Sequence, residues 1–118
     1  MRGLATVLIG LVALEHLGFM ALEMFFWDKP LGLEVFHNSA EAAKATAVLA
    51  GNQGLYNGFL AAGLLWALWR GGREAELFFL GCVVVAGLYG AATALPNILF
   101  IQALPAALAF AATLAARA

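Results

Sequence analysis

Charged residues are scarce in this sequence. Asp, Glu, Lys and Arg make up 11% of its 118 residues, whereas a typical soluble domain has roughly 25%. Hydrophobic residues account for 64%, and the mean hydropathy is +0.93. This composition predicts an integral membrane protein. The length allows four spans of about 20 residues with short connections and leaves no room for a separate soluble domain.

Several chemistry-bearing patterns are also missing. Cys82 is the one cysteine, so an intramolecular disulfide is excluded. The formal net charge is −1 and no basic cluster occurs, so we expect no nucleic-acid partner. There is no cluster of Cys and His at zinc-ligand spacing, no glycine-rich phosphate loop and no serine nucleophile motif. We therefore expect no metal and no cofactor.

The apolar segments predict an all-α fold, a four-transmembrane-helix bundle running up-down-up-down within one integral membrane domain, 1–118. The approximate spans are 4–27, 45–69, 76–94 and 97–116. We expect 28–44 to form an extramembrane loop and the start of helix 2. Asn38 precedes Glu41 by three residues, as in a capping box, which places that start near Ser39. Pro105 should kink the fourth helix.

The connection between the second and third spans is predicted to be a short turn. Residues 70–73 contain the glycine pair Gly71 and Gly72, which favours a turn. Glu74 and Glu76 suit the first turn of the third helix, where negative charge complements the helix dipole.

The first apolar run could imitate a signal peptide. Glu15, His16 and Glu23 interrupt it, and no small-residue cleavage site follows, so we expect the run to be retained. An even number of spans puts both termini on one side. That side collects the arginines Arg2, Arg70, Arg73 and Arg117, against Lys29 and Lys44 on the other. The positive-inside rule then predicts a multi-pass protein of the cell membrane with cytoplasmic termini.

A polar face marks the second apolar segment, between Gly51 and Arg70. Four residues that can form hydrogen bonds fall within an arc of roughly 140° at about 100° per residue. They are Asn52, Gln53, Tyr56 and Asn57. Gly54, Gly58 and Ala62 form a small-residue stripe beside them. Amides facing lipid are costly and glycines allow close approach, so this helix should contact other helices.

Helical rise places the other polar residues at comparable depths. Glu15, His16 and Asn57 come out near the membrane midplane, and Glu23 lies about 12 Å outward. Tyr89, Thr93 and Gln102 also fall on the outer side. Together these residues predict a polar funnel with an apolar floor. An uncompensated carboxylate would be costly there, so Glu15 or Glu23 should be protonated, paired with His16 or hydrogen-bonded by the amides.

This pattern yields candidate site residues. The candidates for acid or base chemistry are Glu15, His16 and Glu23. The candidates for ligand contacts are Asn52, Gln53, Tyr56, Asn57, Tyr89, Thr93 and Gln102. Each also has a structural interpretation: the amides can hold helices together, with roughly 0.6 to 2 kcal/mol per hydrogen bond, and Glu23 can reach the interface.

Four segments of the sequence resemble segments of a known protein family. They are EHLGFMALEMFFW (15–27), NQGLYNGFLAAGLLW (52–66), CVVVAGLYGAATA (82–94) and QALPAALA (102–109). With them the chain resembles domain of unknown function 1304, a family of small predicted integral membrane proteins, over nearly its whole length. That resemblance implies a small multi-span membrane protein and no activity. Glu15 in the first helix is also similar to the membrane-embedded glutamate of the small multidrug resistance transporters, whereas the asparagine-rich second helix differs from theirs.

Three functions are open at this point. The first is a site, or a small enzyme, for a lipophilic molecule whose polar head enters the funnel. The second is a proton-coupled transporter in which Glu15 binds a proton or a cation. The third is a structural or regulatory subunit whose polar stripes select helix partners. The partners expected are the lipid bilayer, a small lipophilic ligand and, for a transporter, a second copy of the chain.

Overall fold

The computed structural model describes residues 1–116, which are almost entirely helical and contain no β-strand. The predicted all-α class is confirmed. The α-helices are α1 (Arg2–Phe25), α2 (Pro30–Phe36), α3 (Ala40–Ala45), α4 (Ala47–Arg70), α5 (Arg73–Thr93) and α6 (Leu104–Ala115), with a π-helix at Leu99–Ala103 before α6. Arg117, used above to predict the orientation, lies outside the described residues.

The helices belong to two compact units. The terminal unit comprises residues 1–14 and 60–116, and the central unit comprises residues 15–59. Two of the helices, α1 and α4, each contribute residues to both units. In the terminal unit, α5 packs against the π-helix and against α6.

The part of 28–44 that was predicted as a loop, before Ser39, contains the short helix α2, so that part of the prediction is wrong. Pro30 opens α2 at a position where the missing N–H costs nothing. Gly32 follows, and a Cβ there would clash with the carbonyl oxygen of Phe26. The helix ends at Phe36, and its C-cap, His37, has a left-handed conformation with φ 57°. Proline at the first turn was a helix-start signal that the charged residues around it obscured.

The helix predicted to run without a break from Ser39 is also interrupted. Ser39 is the N-cap of α3, and its side chain accepts a hydrogen bond from the Ala42 N–H. The cap is thus Ser39 rather than Asn38. At Thr46 the backbone leaves helical geometry, and the hydroxyl donates to the Ala42 carbonyl at 2.8 Å. The same oxygen accepts from Trp27 Nε1 at 3.1 Å, so Thr46 connects this junction to the end of α1.

The turn predicted between Arg70 and Arg73 is confirmed. Gly71 adopts φ 69°, a conformation that glycine takes without strain. The Gly72 N–H donates to the Ala67 carbonyl and the Gly71 N–H to the Leu68 carbonyl. This is the hydrogen-bond pattern of a Schellman C-cap, and it lets α5 begin directly at Arg73.

The proline of the last helix is accommodated by a change of helix type. Pro105 lies in the first turn of α6, and the residues before it form the π-helix. Proline cannot donate to the helix behind it, and a π-turn is one way in which a helix absorbs such a disruption. Gly87 of α5 lies against this segment, since a Cβ there would be 2.6 Å from Ala103 N.

Small residues dominate the buried positions, whereas many large apolar side chains are exposed. Alanines form most of the core: Ala5, Ala13, Ala43, Ala50, Ala61, Ala67, Ala103, Ala106, Ala109, Ala112 and Ala116. Exposed large side chains occur on every long helix, among them Leu11, Val48, Phe59, Trp66, Trp69, Phe78, Val85, Phe100 and Leu108. By length and composition, α1 and α5 could each cross a membrane, and Leu99–Ala115 is a shorter apolar helix.

Candidate functional site

The central unit joins two of the predicted site residues. Asn57 Nδ2 donates a hydrogen bond to Glu23 Oε1 at 2.5 Å, in a partly buried position between α1 and α4. Close helix contact makes this bond possible. At Gly54 a Cβ would lie 2.7 Å from the Met24 side chain and 3.1 Å from the Met20 carbonyl oxygen. The close approach predicted for the glycine stripe is confirmed here.

Glu15 and His16 lie two turns before Glu23 on the same helix. Glu15 Oε1 is buried, and no hydrogen-bond partner for it occurs within residues 1–116. His16 is fully buried and packs edge-on against Phe19, with ring centroids 5.2 Å apart. Glu15 and Glu23 are about 12 Å apart along the helix axis at 1.5 Å per residue. The two carboxyl groups therefore lie at two separate positions along α1.

The other members of the polar face of α4 remain at the surface. Asn52 is exposed, and its side-chain amide donates to the Val48 carbonyl of its own helix at 2.9 Å. Gln53 is exposed. Tyr56 is 54% exposed, and its ring lies 5.9 Å from that of Phe59. The structure therefore brings Asn57 to Glu23 and leaves these three side chains accessible, and their role in binding stays a prediction.

The remaining predicted contacts belong to the terminal unit. Tyr89 is 72% exposed, and the hydroxyl of Thr93 donates to the Tyr89 carbonyl at 2.7 Å. Gln102 lies within the π-helix and is partly buried. That these residues belong to one polar funnel with residues of the central unit remains a prediction. Within residues 1–116, no group of three or more His, Cys, Asp or Glu side chains is placed to hold a metal ion.

Sequence reasoning missed an ion pair and a cavity in the terminal unit. Arg2 Nη1 and Nη2 each donate to one oxygen of Glu76 at 2.9 Å, and Glu76 is fully buried. The sequence suggested only that Glu76 complements the dipole at the start of a helix. The partners are 74 positions apart, so no local pattern joins them. One signal for this pair was present in the sequence: the starts of the first and third helices are both predicted to lie on the side of the membrane that holds the termini.

The cavity beside this pair has a volume of about 230 Å³. Its lining residues are Arg2, Thr6, Leu68, Gly71, Arg73, Glu76 and Ala116. None of the candidate site residues from the sequence is among them. Arg73 Nη2 donates to the Leu114 carbonyl at 3.1 Å. The start of α5 and the end of α6 therefore meet beside the cavity.

Comparison with known proteins agrees with the resemblance seen in the sequence. The family model described as "Protein of unknown function (DUF1304)" matches residues 10–114. The chain is also 32% identical over 103 residues to "Uncharacterized protein YpaA" of Lactococcus lactis subsp. lactis (strain IL1403), an alignment covering 84% of this chain and 87% of that protein. No solved structure matches. The chain therefore belongs to the family of proteins of unknown function DUF1304.

Proposed function

We propose that this protein is a multi-pass protein of the cell membrane that binds the polar head of a small amphipathic molecule at Glu23 and Asn57. Four helical segments, namely α1, α4, α5 and 99–115, cross the bilayer in an up-down-up-down order. Both termini lie on the cytoplasmic side. The protein thus combines a four-span membrane topology with a binding site in the central unit.

The distribution of side-chain size is the main support for the membrane topology. In water, large apolar side chains are normally the buried ones, and a contiguous exposed apolar surface is rare in monomeric proteins. Here alanines are buried while large apolar side chains such as Val85, 66% exposed, and Trp69, 80% exposed, lie outside. Within lipid this distribution is favourable, because small residues let helices pack closely and large ones contact acyl chains.

The extent of burial and the helix lengths support the same proposal. Only 28% of the most apolar 18-residue window of α1 and 22% of that of α5 is buried, whereas a core helix of a soluble protein is mostly buried. The 24 residues of α4 extend about 36 Å, enough for a hydrocarbon core of about 30 Å. The 17 residues of 99–115 reach the lower limit for a spanning helix.

The Glu23–Asn57 hydrogen bond is the main support for the binding site. The Asn57 side-chain amide donates to Glu23 Oε1. Glu23 Oε2 and the side-chain oxygen Oδ1 of Asn57 can therefore accept further hydrogen bonds. A head group that donates hydrogen bonds, such as an alcohol, an amide or an amine, complements these two acceptors. Glu15 Oε1 is a separate buried acceptor, about 12 Å further along the same helix. Glu15, His16 and Glu23 are the candidates for proton transfer if the molecule is converted.

Native mass spectrometry tests the binding site. Wild type is released gently from detergent and compared with Asn57→Ala and with Asn97→Ala, a control at an exposed asparagine of the terminal unit that is not a candidate site residue. We expect a bound small molecule in wild type and in Asn97→Ala, and its loss in Asn57→Ala. An empty, stable dimer would instead direct attention to proton-coupled flux through Glu15. An empty monomer would favour a subunit that lacks its protein partner.

A further inference from the structure

The cavity of the terminal unit lies where four chain segments meet. Arg2 and Thr6 come from the start of α1, Leu68 and Gly71 from the end of α4 and the turn after it, Arg73 and Glu76 from the start of α5, and Ala116 follows α6. Its volume of about 230 Å³ exceeds the roughly 30 Å³ share of one water molecule several-fold. It is therefore large enough for a polar group of several heavy atoms.

The charges in its wall favour an anion. Two arginines and one glutamate line the cavity. Glu76 is neutralised by Arg2, and its side chain is 1% exposed, whereas the Arg2 side chain is 47% exposed. An incoming group therefore meets the guanidinium before the carboxylate. Arg73 donates to the Thr113 and Leu114 carbonyls, which are neutral acceptors. Within residues 1–116, the acceptors of its guanidinium therefore leave its formal charge uncancelled.

We propose that this cavity binds a phosphate group. Planar guanidinium groups match the geometry of phosphate oxygens and bind them through several N–H donors. The Thr6 hydroxyl, which accepts from Arg2 Nε at 3.3 Å, can donate its own proton to the ligand. At the membrane surface, basic pockets between helices bind the head groups of anionic lipids. The phosphate is then carried by an anionic phospholipid or by a soluble phosphate compound, which share this chemistry.

Two titrations of the full-length protein in detergent test the proposal and separate the two sources. In the first titration, native mass spectrometry measures binding of phosphatidylglycerol and, separately, of diacylglycerol, a neutral lipid that lacks the phosphate. In the second, binding of phosphatidylglycerol is measured again with inorganic phosphate as competitor. The key variant is Arg73→Gln. The matched control is Arg70→Gln, because Arg70 is exposed at the end of α4 and does not line the cavity.

We expect wild type to prefer phosphatidylglycerol, and Arg73→Gln to lose about fivefold in affinity for it, the effect of one basic residue at a membrane surface. Arg70→Gln should remain within about twofold of wild type. Displacement by inorganic phosphate that depends on Arg73 would identify a soluble phosphate compound as the ligand. Arg73-dependent lipid binding without displacement would identify the lipid head group.

Two results would overturn the proposal. The first is equal binding of the two lipids by wild type together with no binding of inorganic phosphate, and this result does not depend on any variant. The second is equal loss of binding in Arg73→Gln and Arg70→Gln. Arg73→Gln removes the hydrogen bonds to the Thr113 and Leu114 carbonyls at the end of α6. If that variant fails to fold, Arg73→Lys is tested in its place. Lysine keeps the charge but not the planar fork, and binding at wild-type strength in that variant would contradict the guanidinium role.

Discussion

Asn57 donates a hydrogen bond to Glu23 across the contact of α1 with α4, at the point where Gly54 lets the two helices approach. The pair brings together an amide and a carboxyl group that are 34 positions apart in the chain. In an apolar environment, such a pair both stabilises the helix contact and leaves acceptor oxygens for a ligand. The two roles can be separated by measuring stability and binding on the same variants.

Asn57→Ala should lower stability as well as binding. Removing the amide leaves Glu23 without this donor, and interhelical hydrogen bonds in membrane proteins contribute about 1 kcal/mol. Unfolding in mixed micelles should show a loss of that size for Asn57→Ala, and no more than about half of it for Asn52→Ala, whose side chain is exposed. Equal losses in both variants would mean that the Glu23 contact contributes nothing specific.

Arg2 and Glu76 should be energetically coupled. Arg2→Ala leaves a buried carboxylate unpaired, and we expect a loss of about 1 to 3 kcal/mol, below the range for a fully buried pair because Arg2 is half exposed. Adding Glu76→Gln should restore part of that stability, which a double-mutant cycle measures. Arg70→Ala serves as the control. Additive effects of the two substitutions would contradict the coupling.

Gly87→Ala should destabilise the terminal unit. The new Cβ would lie 2.6 Å from Ala103 N and 2.8 Å from Ala103 Cα. Backbone atoms cannot move aside as a side-chain end can, so we expect a loss of about 1 to 3 kcal/mol. The control is Gly81→Ala in the same helix, where the nearest atom would be 3.8 Å away. That variant should be unchanged or more stable by up to about 1 kcal/mol.

Val85→Asp should reduce membrane insertion. Val85 is 66% exposed near the middle of α5. An aspartate at the centre of a spanning helix costs about 2.5 to 3.5 kcal/mol on the insertion scale, whereas the same change at a water-exposed position has little effect. Carbonate extraction of membranes should release or lose the Asp variant and retain Val85→Leu. Equal retention of both would show that this face does not contact lipid.

The sequence was informative wherever the signal is local. Apolar run length predicted the long helices α1, α4 and α5 and the shorter helical segment 99–115. Gly71 with Gly72 predicted the turn before α5, because helix hydrophobicity and caps are encoded by neighbouring residues. It failed where a helix is short or interrupted. Nothing local distinguishes Thr46 as the break between α3 and α4, since that break involves Trp27 from a distant part of the chain.

The site was predictable only in part for the same reason. Helical projection placed Asn57 on the polar face of α4 and Glu23 on α1, and the structure brings these two together. Helical projection does not show which amide on that face contacts a neighbouring helix, because an arc of roughly 140° is wider than one helix contact. The Arg2–Glu76 pair was unpredictable, since it depends on tertiary packing between chain segments far apart in sequence.

The central claim is that four helices cross the membrane, which places Glu23 and Asn57 within the bilayer. Its most direct test is the labelling of single cysteines by a membrane-impermeant reagent in sealed inverted and right-side-out vesicles. Cys82, the one cysteine of the chain, is first replaced by alanine. Cysteines are then placed at Gly3, Glu41, Glu74 and Asn97, one for each connection or terminus on the described chain.

Four crossings predict that Gly3→Cys and Glu74→Cys are labelled from the cytoplasmic side, and Glu41→Cys and Asn97→Cys from the opposite side. If only α1 and α5 crossed, Glu41→Cys and Glu74→Cys would share one side, while Gly3→Cys and Asn97→Cys would share the other. That result would contradict the four-span account and place α4, with Asn57, outside the bilayer.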